Sequence, residues 1–146
     1  MPTKKLNIGL VFGGNSSEHE VSIQSARTIY NALSSSNNED FFIVNPIYID
    51  KSGFWGNNEY SKSILFEVNR STSMRKNNTC SMNNLTNLPK IIDNVDVWFP
   101  ALHGPNGEDG VIQGLFKLTG KPFVGSDILG SSLGMDKIAM KSIFKS

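Results

Sequence analysis

The chain has 146 residues, 38% of them hydrophobic and 18% charged, with a formal net charge of +1; this is about one domain's worth of globular sequence, long enough to bury a sizeable core. The near-neutral balance, with no basic stripe interleaved with aromatics, argues against a nucleic-acid or membrane surface. Cys80 is the only cysteine, which excludes an intrachain disulfide and a multi-cysteine zinc site, and no apolar run approaches the roughly 20 residues of a membrane span.

Residues 6–12 predict a buried strand, a short apolar run rich in branched and aromatic side chains. Lys4-Lys5 before it hints at a secretory leader, but Asn7 interrupts the run and Gly-Gly-Asn stands where a cleavage site would. Gly13 and Gly14 let the backbone reverse. Ser17 then fits an N-cap with Glu20 three residues on, a capping-box spacing. With Ser17 capping, Glu18 is the first helical residue. Its carboxylate lies at the positive end of the helix dipole, aimed into whatever crevice lies beyond the strand end. The plainer reading is an ordinary strand-to-helix turn, since the Gly-x-Gly-x-x-Gly spacing of dinucleotide sites is absent. A phosphate here would be repelled by Glu18 and Glu20.

From residue 18 to 33, Ile23, Ala26, Ile29, Tyr30 and Leu33 form the apolar stripe of a helix; His19 is expected to face solvent. Residues 34–38 favour a turn. Residues 41–49 predict a second strand, in which Pro46 marks a bulge or one edge. Strand, helix and strand make a βαβ unit with a right-handed crossover. Phe54-Trp55 begins a short returning strand. Residues 56–90 are rich in Asn and Ser and are expected to form a loop-rich excursion. Within it only residues 64–68 read as a strand, and Cys80 has no basic neighbours to make it a nucleophile. The Asn-x-Ser/Thr triplets at Asn69 and Asn84 mean little without a secretory signal.

Order returns with a strand at residues 95–102 and a long turn at 103–110, where Glu108-Asp109 should cap the next helix. That helix, residues 111–119, turns Val111, Ile112, Leu115, Phe116 and Thr119 inward and stops at Gly120. Residues 121–125 predict a short strand, Ser126 or Asp127 caps a brief helix carrying Ile128, Leu129 and Leu133, and Asp136 caps a last helix over residues 137–144. The ending at Ser146 reads as a cut, and there is no internal repeat.

The expected fold is α/β: an open, mostly parallel sheet with flanking helices, Rossmann-like, with ligands beyond the carboxyl ends of its strands. If the second strand and the Trp98 strand flank the first, then Ser16-Ser17-Glu18 and His103-Gly104 share one crevice. Glu18 would supply an anion and His103 a donor, a pair suited to a zwitterion such as an amino acid. Taken alone, His103 reads first as a histidine satisfied by carbonyls of its turn. A metal site from His19, His103 and carboxylates has no supporting ligand spacing. Lys137 is either a solvated surface residue or a phosphate ligand.

Three motifs in order carry a resemblance: residues 12–22, Ala101-Leu102-His103-Gly104 through Gly107-Glu108-Asp109-Gly110 with Gln113-Gly114, and Met135-Asp136-Lys137. Together they resemble the N-terminal region of D-alanine–D-alanine ligases, in the longer-chain branch that includes D-alanine–D-lactate ligases. The resemblance implies a cytoplasmic, homodimeric ATP-grasp enzyme of peptidoglycan precursor synthesis, using ATP and Mg2+. In that family ATP phosphorylates the carboxylate of the first D-alanine. The second D-alanine's amine attacks the acyl phosphate, and ADP and phosphate leave. By resemblance, Glu18 anchors the first D-alanine's ammonium within a catalytic hydrogen-bond set, His103 stands near its carboxylate, and Lys137 reaches the ATP phosphates. Gly13, Gly14 and Ser17 complete the substrate-binding turn. The pre-ATP-grasp domain would be residues 1–136, and residues 137–146 the start of a helix leading to the ATP-grasp region. The family places its magnesium carboxylates and oxyanion arginine beyond Ser146, so this chain alone is expected to bind D-alanine without ligase activity. A non-catalytic small-ligand-binding module and a different ATP-grasp carboxylate–amine ligase are the alternatives.

Overall fold

The computed structural model of the chain describes residues 4–66, 80–81 and 93–145. Its strands are β1 (Leu6–Gly13), β2 (Phe42–Ile49), β3 (Phe54–Trp55), β4 (Cys80–Ser81) and β5 (Val97–Pro100), in one sheet of order β4–β3–β2–β1–β5. β1 runs parallel to β2 on one side and to β5 on the other, while β3 and β4 extend the sheet antiparallel. The open, mostly parallel sheet is therefore as expected, with the two predicted neighbours flanking the first strand.

Side chains alternate across β1 and β2 with the period of two that a pleated strand imposes. Leu10, Phe12 and Tyr48 face one layer; Val11, Ile47 and Ile49 face the other. The first layer is α1 (His19–Leu33), through Ile23 and Ala26, and α2 (Asn58–Leu65), through Tyr60, Ile64 and Leu65. The second is α3 (Val111–Leu118), whose Ile112 and Phe116 pack on Val95 and Trp98, the Phe116 ring stacked on the indole at 4.9 Å. A central strand covered on both faces explains why residues 8–12 are apolar throughout rather than alternating. Pro46 pairs in register with Leu10, and β3 reaches only Ile49. The proline thus lies on the stretch of β2 with no second strand beside it among the described residues, the edge position expected for a residue lacking a donor. α4 (Ile128–Met135) and α5 (Lys137–Lys145) follow, capped by the carboxylates of Asp127 and Asp136.

Two expectations are corrected. Ile64 and Leu65 end a helix, not a strand; residues 67–68 of that run lie outside the described residues. The Asn57 side chain accepts the Tyr60 N–H at 2.8 Å, and Tyr60, Ile64 and Leu65 fall on one helical face. Residues 121–125 form only a single bridge, Phe123 to Trp98. No helix among the described residues is long and apolar enough to cross a membrane.

Candidate functional site

The polar clusters collect where β1 and β5 end, side by side. β1 runs out through Gly13 and Gly14, with φ of +93° and +88°. A Cβ on Gly13 would stand 2.2 Å from the Ile49 carbonyl oxygen, so both the backbone angle and the space demand glycine. The Gly13 N–H donates to the Ser22 hydroxyl at 2.8 Å, and that hydroxyl donates to the Ala101 carbonyl at 2.6 Å. The Gly14 N–H donates to the Ile49 carbonyl at 2.8 Å. Both glycine donors are thus occupied inside the protein. These residues shape the site's wall and offer it no N–H.

The start of α1 differs from expectation. The helix begins at His19, with Glu18 at the N-cap position and no side-chain capping bond. Ser17 is exposed and does not cap. Ser16 is the serine with structural work: its hydroxyl accepts the Glu18 N–H at 3.2 Å and donates to the His103 carbonyl at 2.7 Å. A bond to the neighbouring strand's loop, invisible in local sequence, sets the turn and displaces the capping box.

His19 is likewise not solvent-facing but only 2% exposed. Its Nδ1 lies 2.5 Å from the Gly14 carbonyl oxygen and its Nε2 3.0 Å from the Tyr48 hydroxyl. A carbonyl can only accept, so Nδ1 carries the proton and donates to Gly14; Nε2 pairs with the Tyr48 hydroxyl, which can donate to it. Spacing 19–23–26 puts His19 on the buried stripe of α1, a signal the sequence does contain. Among the described residues no three His, Cys, Asp or Glu side chains converge to hold a metal ion.

Beyond β5, the His103 ring has a polar neighbour beside each nitrogen. Nε2 lies 3.0 Å from the Ser25 hydroxyl, and Nδ1 3.7 Å from a Glu108 carboxylate oxygen. The other Glu108 oxygen accepts the Gly104 N–H at 2.9 Å. Glu108 therefore folds back on the turn instead of capping α3, a role left to Asp109, which accepts the Val111 N–H. The partners of His103 are a hydroxyl and a carboxylate, not the carbonyls expected of a merely satisfied turn histidine. Its side chain remains 32% exposed, so it can still turn toward a ligand.

Between these loops lies a hollow of about 240 Å³, lined among the described residues by Gly13, Gly14, Ser16, Leu102, His103 and Asn106, with others. Glu18 does not line it but stands beside it: its Oε2 is 3.3 Å from where a Cβ on Gly104 would be. The structure thus gathers Gly13, Gly14 and His103 around one hollow, with Glu18 against the residue following His103. Ser17 and Lys137, the exposed first residue of α5, lie outside the lining. The sequence reading missed Asn15 and Asn106, whose side chains bond across the mouth at 3.0 Å, and Ser25 and Glu108, which hold the imidazole. Asn106 has φ +66°, a turn signal available in Pro105-Asn106-Gly107.

The family model described as the D-ala D-ala ligase N-terminus matches residues 7–126. A protein of Prochlorococcus marinus (strain NATL2A) named D-alanine–D-alanine ligase is 62% identical over the whole chain, and the chain covers 40% of it. One of the same name from Synechococcus sp. (strain CC9311) is 49% identical over 99% of the chain, which covers 41% of it. The chain thus spans about two fifths of the length of these relatives. Among solved structures, the D-alanine–D-alanine ligase of Coxiella burnetii superposes with a TM-score of 0.73 at 28% identity, over 98% of this chain and 41% of that one. The VanG D-Ala:D-Ser ligase of Enterococcus faecalis superposes with a TM-score of 0.72 at 35% identity, over 97% of this chain and 42% of that one. On the family match and on the fold and turn chemistry it accompanies, the chain belongs to the D-ala D-ala ligase N-terminus family.

Proposed function

We propose that the hollow at the ends of β1 and β5 binds the first D-alanine of a D-alanine–D-alanine ligase, with residues 1–136 as its substrate-binding domain. The observation that carries this is the meeting of the two loops: Ser16 bonded to the His103 carbonyl at 2.7 Å, and the Glu18 carboxylate packed against Gly104. Glu18 would take the ammonium of the amino acid. His103, oriented by Ser25 and Glu108, would donate to its carboxylate once the ring turns inward. Gly13 and Gly14 give the wall its curvature, and Ser17 would approach the ligand from the rim. A fixed anion and a nearby donor hold a small zwitterion in one orientation, which is what attack on its carboxyl group requires.

ATP with Mg2+ would supply the phosphoryl group that activates that carboxylate. Lys137 is this chain's candidate for the ATP phosphates. The described residues offer no cluster fit for the magnesium. The names of the curated relatives and of the Enterococcus enzyme share D-alanine as one substrate, which supports D-alanine for this region and leaves the second substrate to be set elsewhere. The reading carries with it a cytoplasmic, homodimeric enzyme of peptidoglycan precursor synthesis.

The test is Glu18→Gln in the full-length protein. Removing a charged partner of an ammonium should lower kcat/KM for D-alanine on the order of 10–100-fold. Unchanged kinetics would take Glu18 out of the site.

A further inference from the structure

We propose that His19 is a positioning residue: locked as the Nδ1–H tautomer between the Gly14 carbonyl and the Tyr48 hydroxyl, it clamps the turn that carries Glu18. The inference rests on the reading of the hollow as the first-substrate site and adds a residue to it.

The geometry is that of a closed loop. The bond from His19 Nδ1 to the Gly14 oxygen joins the two ends of residues 14–19, so Asn15, Ser16, Ser17 and Glu18 all lie inside it. The ring cannot shift without leaving two buried polar groups, because Nε2 is engaged by Tyr48 at 3.0 Å and the side chain is 2% exposed. Tyr48 is itself fixed. It stands on β2, with its ring 5.5 Å from Phe12 and 5.6 Å from Tyr60. The clamp therefore refers the position of the Glu18 turn to the core of the sheet, through Tyr48. The Gly14 carbonyl needs a donor at Nδ1, and the Tyr48 hydroxyl can donate to an acceptor at Nε2; one imidazole tautomer satisfies both. Glu18 immediately precedes His19 in the chain, so a rotation of the first turn of α1 would carry its carboxylate away from Gly104.

The test separates the two nitrogens. In His19→Asn the side-chain amide stands where Nδ1 does and can still donate to Gly14. In His19→Gln it stands near Nε2 and cannot. Full-length protein carrying both variants, together with Tyr48→Phe and Glu18→Gln, is assayed for KM and kcat with D-alanine. The expected result is a KM for the first D-alanine raised about tenfold or more in His19→Gln, with kcat changed far less, and substantial rescue in His19→Asn. Tyr48→Phe should fall between them. Independently of activity, ring-15N histidine labelling of the wild-type protein should show an Nδ1–H signal that disappears in His19→Asn. An Nε2–H tautomer for His19 would overturn the clamp. So would equal kinetics in the Asn and Gln variants, or a normal KM in both while Glu18→Gln raises it. If Glu18→Gln also leaves KM unchanged, the site reading fails instead, and the clamp stands or falls on the tautomer alone. Should the His19 variants fail to fold, the tautomer and Tyr48→Phe still decide.

Discussion

The Ser16 hydroxyl donates to the main-chain oxygen of His103 at 2.7 Å, joining residues 87 apart in sequence. This bond fastens the loop after β1 to the loop after β5. In Ser16→Ala the His103 carbonyl loses its partner, at a cost of about 1 kcal/mol in stability. The loops should also spread, raising KM for D-alanine severalfold with little change in kcat. Ser16→Thr keeps the hydroxyl and should sit near wild type. Denaturant unfolding and steady-state kinetics on the full-length protein read both effects, and an unmoved KM in Ser16→Ala would show that other contacts hold the loops together.

Gly13 and Gly14 share a left-handed backbone but not the same surroundings. A Cβ on Gly13 meets the Ile49 carbonyl oxygen at 2.2 Å, whereas one on Gly14 meets a methyl of Leu102 at 3.3 Å. Gly14→Ala should therefore cost about 1–2 kcal/mol, the usual cost of a left-handed L-residue. Gly13→Ala must also displace backbone of β2, and its cost should exceed that of Gly14→Ala clearly. Denaturation midpoints of the two variants, measured side by side, check the order; equal midpoints would show that β2 yields to the added methyl.

Ser22 is fully buried and serves two loops at once, accepting from the Gly13 N–H and donating to the Ala101 carbonyl. Ser22→Ala leaves both groups unsatisfied in the interior. Each costs about 1–3 kcal/mol, so the variant should lose more stability than Ser16→Ala, whose orphaned group lies nearer to water. A thermal melt that ranks the two in the opposite order would mean that water enters to replace the Ser22 hydroxyl.

What the sequence carries and what it hides divide along one line. Strands β1, β2 and β5 are legible because burial on two faces leaves mostly apolar runs, and the glycines announce where β1 ends. The caps at Asp127 and Asp136 are local chemistry and could be read locally. The convergence of the Glu18 and His103 loops followed from strand order alone. The start of α1 was hidden because it depends on a contact between distant residues. Ser16 rather than Ser17 organises the start of α1 because its partner is the His103 carbonyl. Glu108 turns back to Gly104 and His103 rather than forward to α3. Two of the differences carry a local signal: His19 stands in phase with Ile23 and Ala26, and Asn57, Tyr60 and Ile64 together spell a capped helix where a short apolar run suggests a strand.

Asp96 ties the start of β5 to β1, and its contribution should depend on pH. Its Oδ2 accepts the Asn7 N–H at 2.8 Å and the Asn7 side-chain amide at 3.1 Å, while its own N–H returns to the Asn7 carbonyl. The main-chain donor, then the side-chain donor, hold the carboxyl below its ordinary value of 3.8, with Lys4 and Lys121 adding to the effect. A carboxylate depressed in the folded state binds protons more weakly there than in the unfolded chain. Stability from it is complete above 3.8 and disappears as pH falls through the lower folded value. Unfolding midpoints of wild type and Asp96→Asn should therefore differ most well above pH 3.8 and converge as the pH falls below it. The other carboxylates titrate alike in both proteins, so the difference isolates this one. A gap that stays constant across that range would assign the stabilisation to the shape of the side chain rather than to its charge.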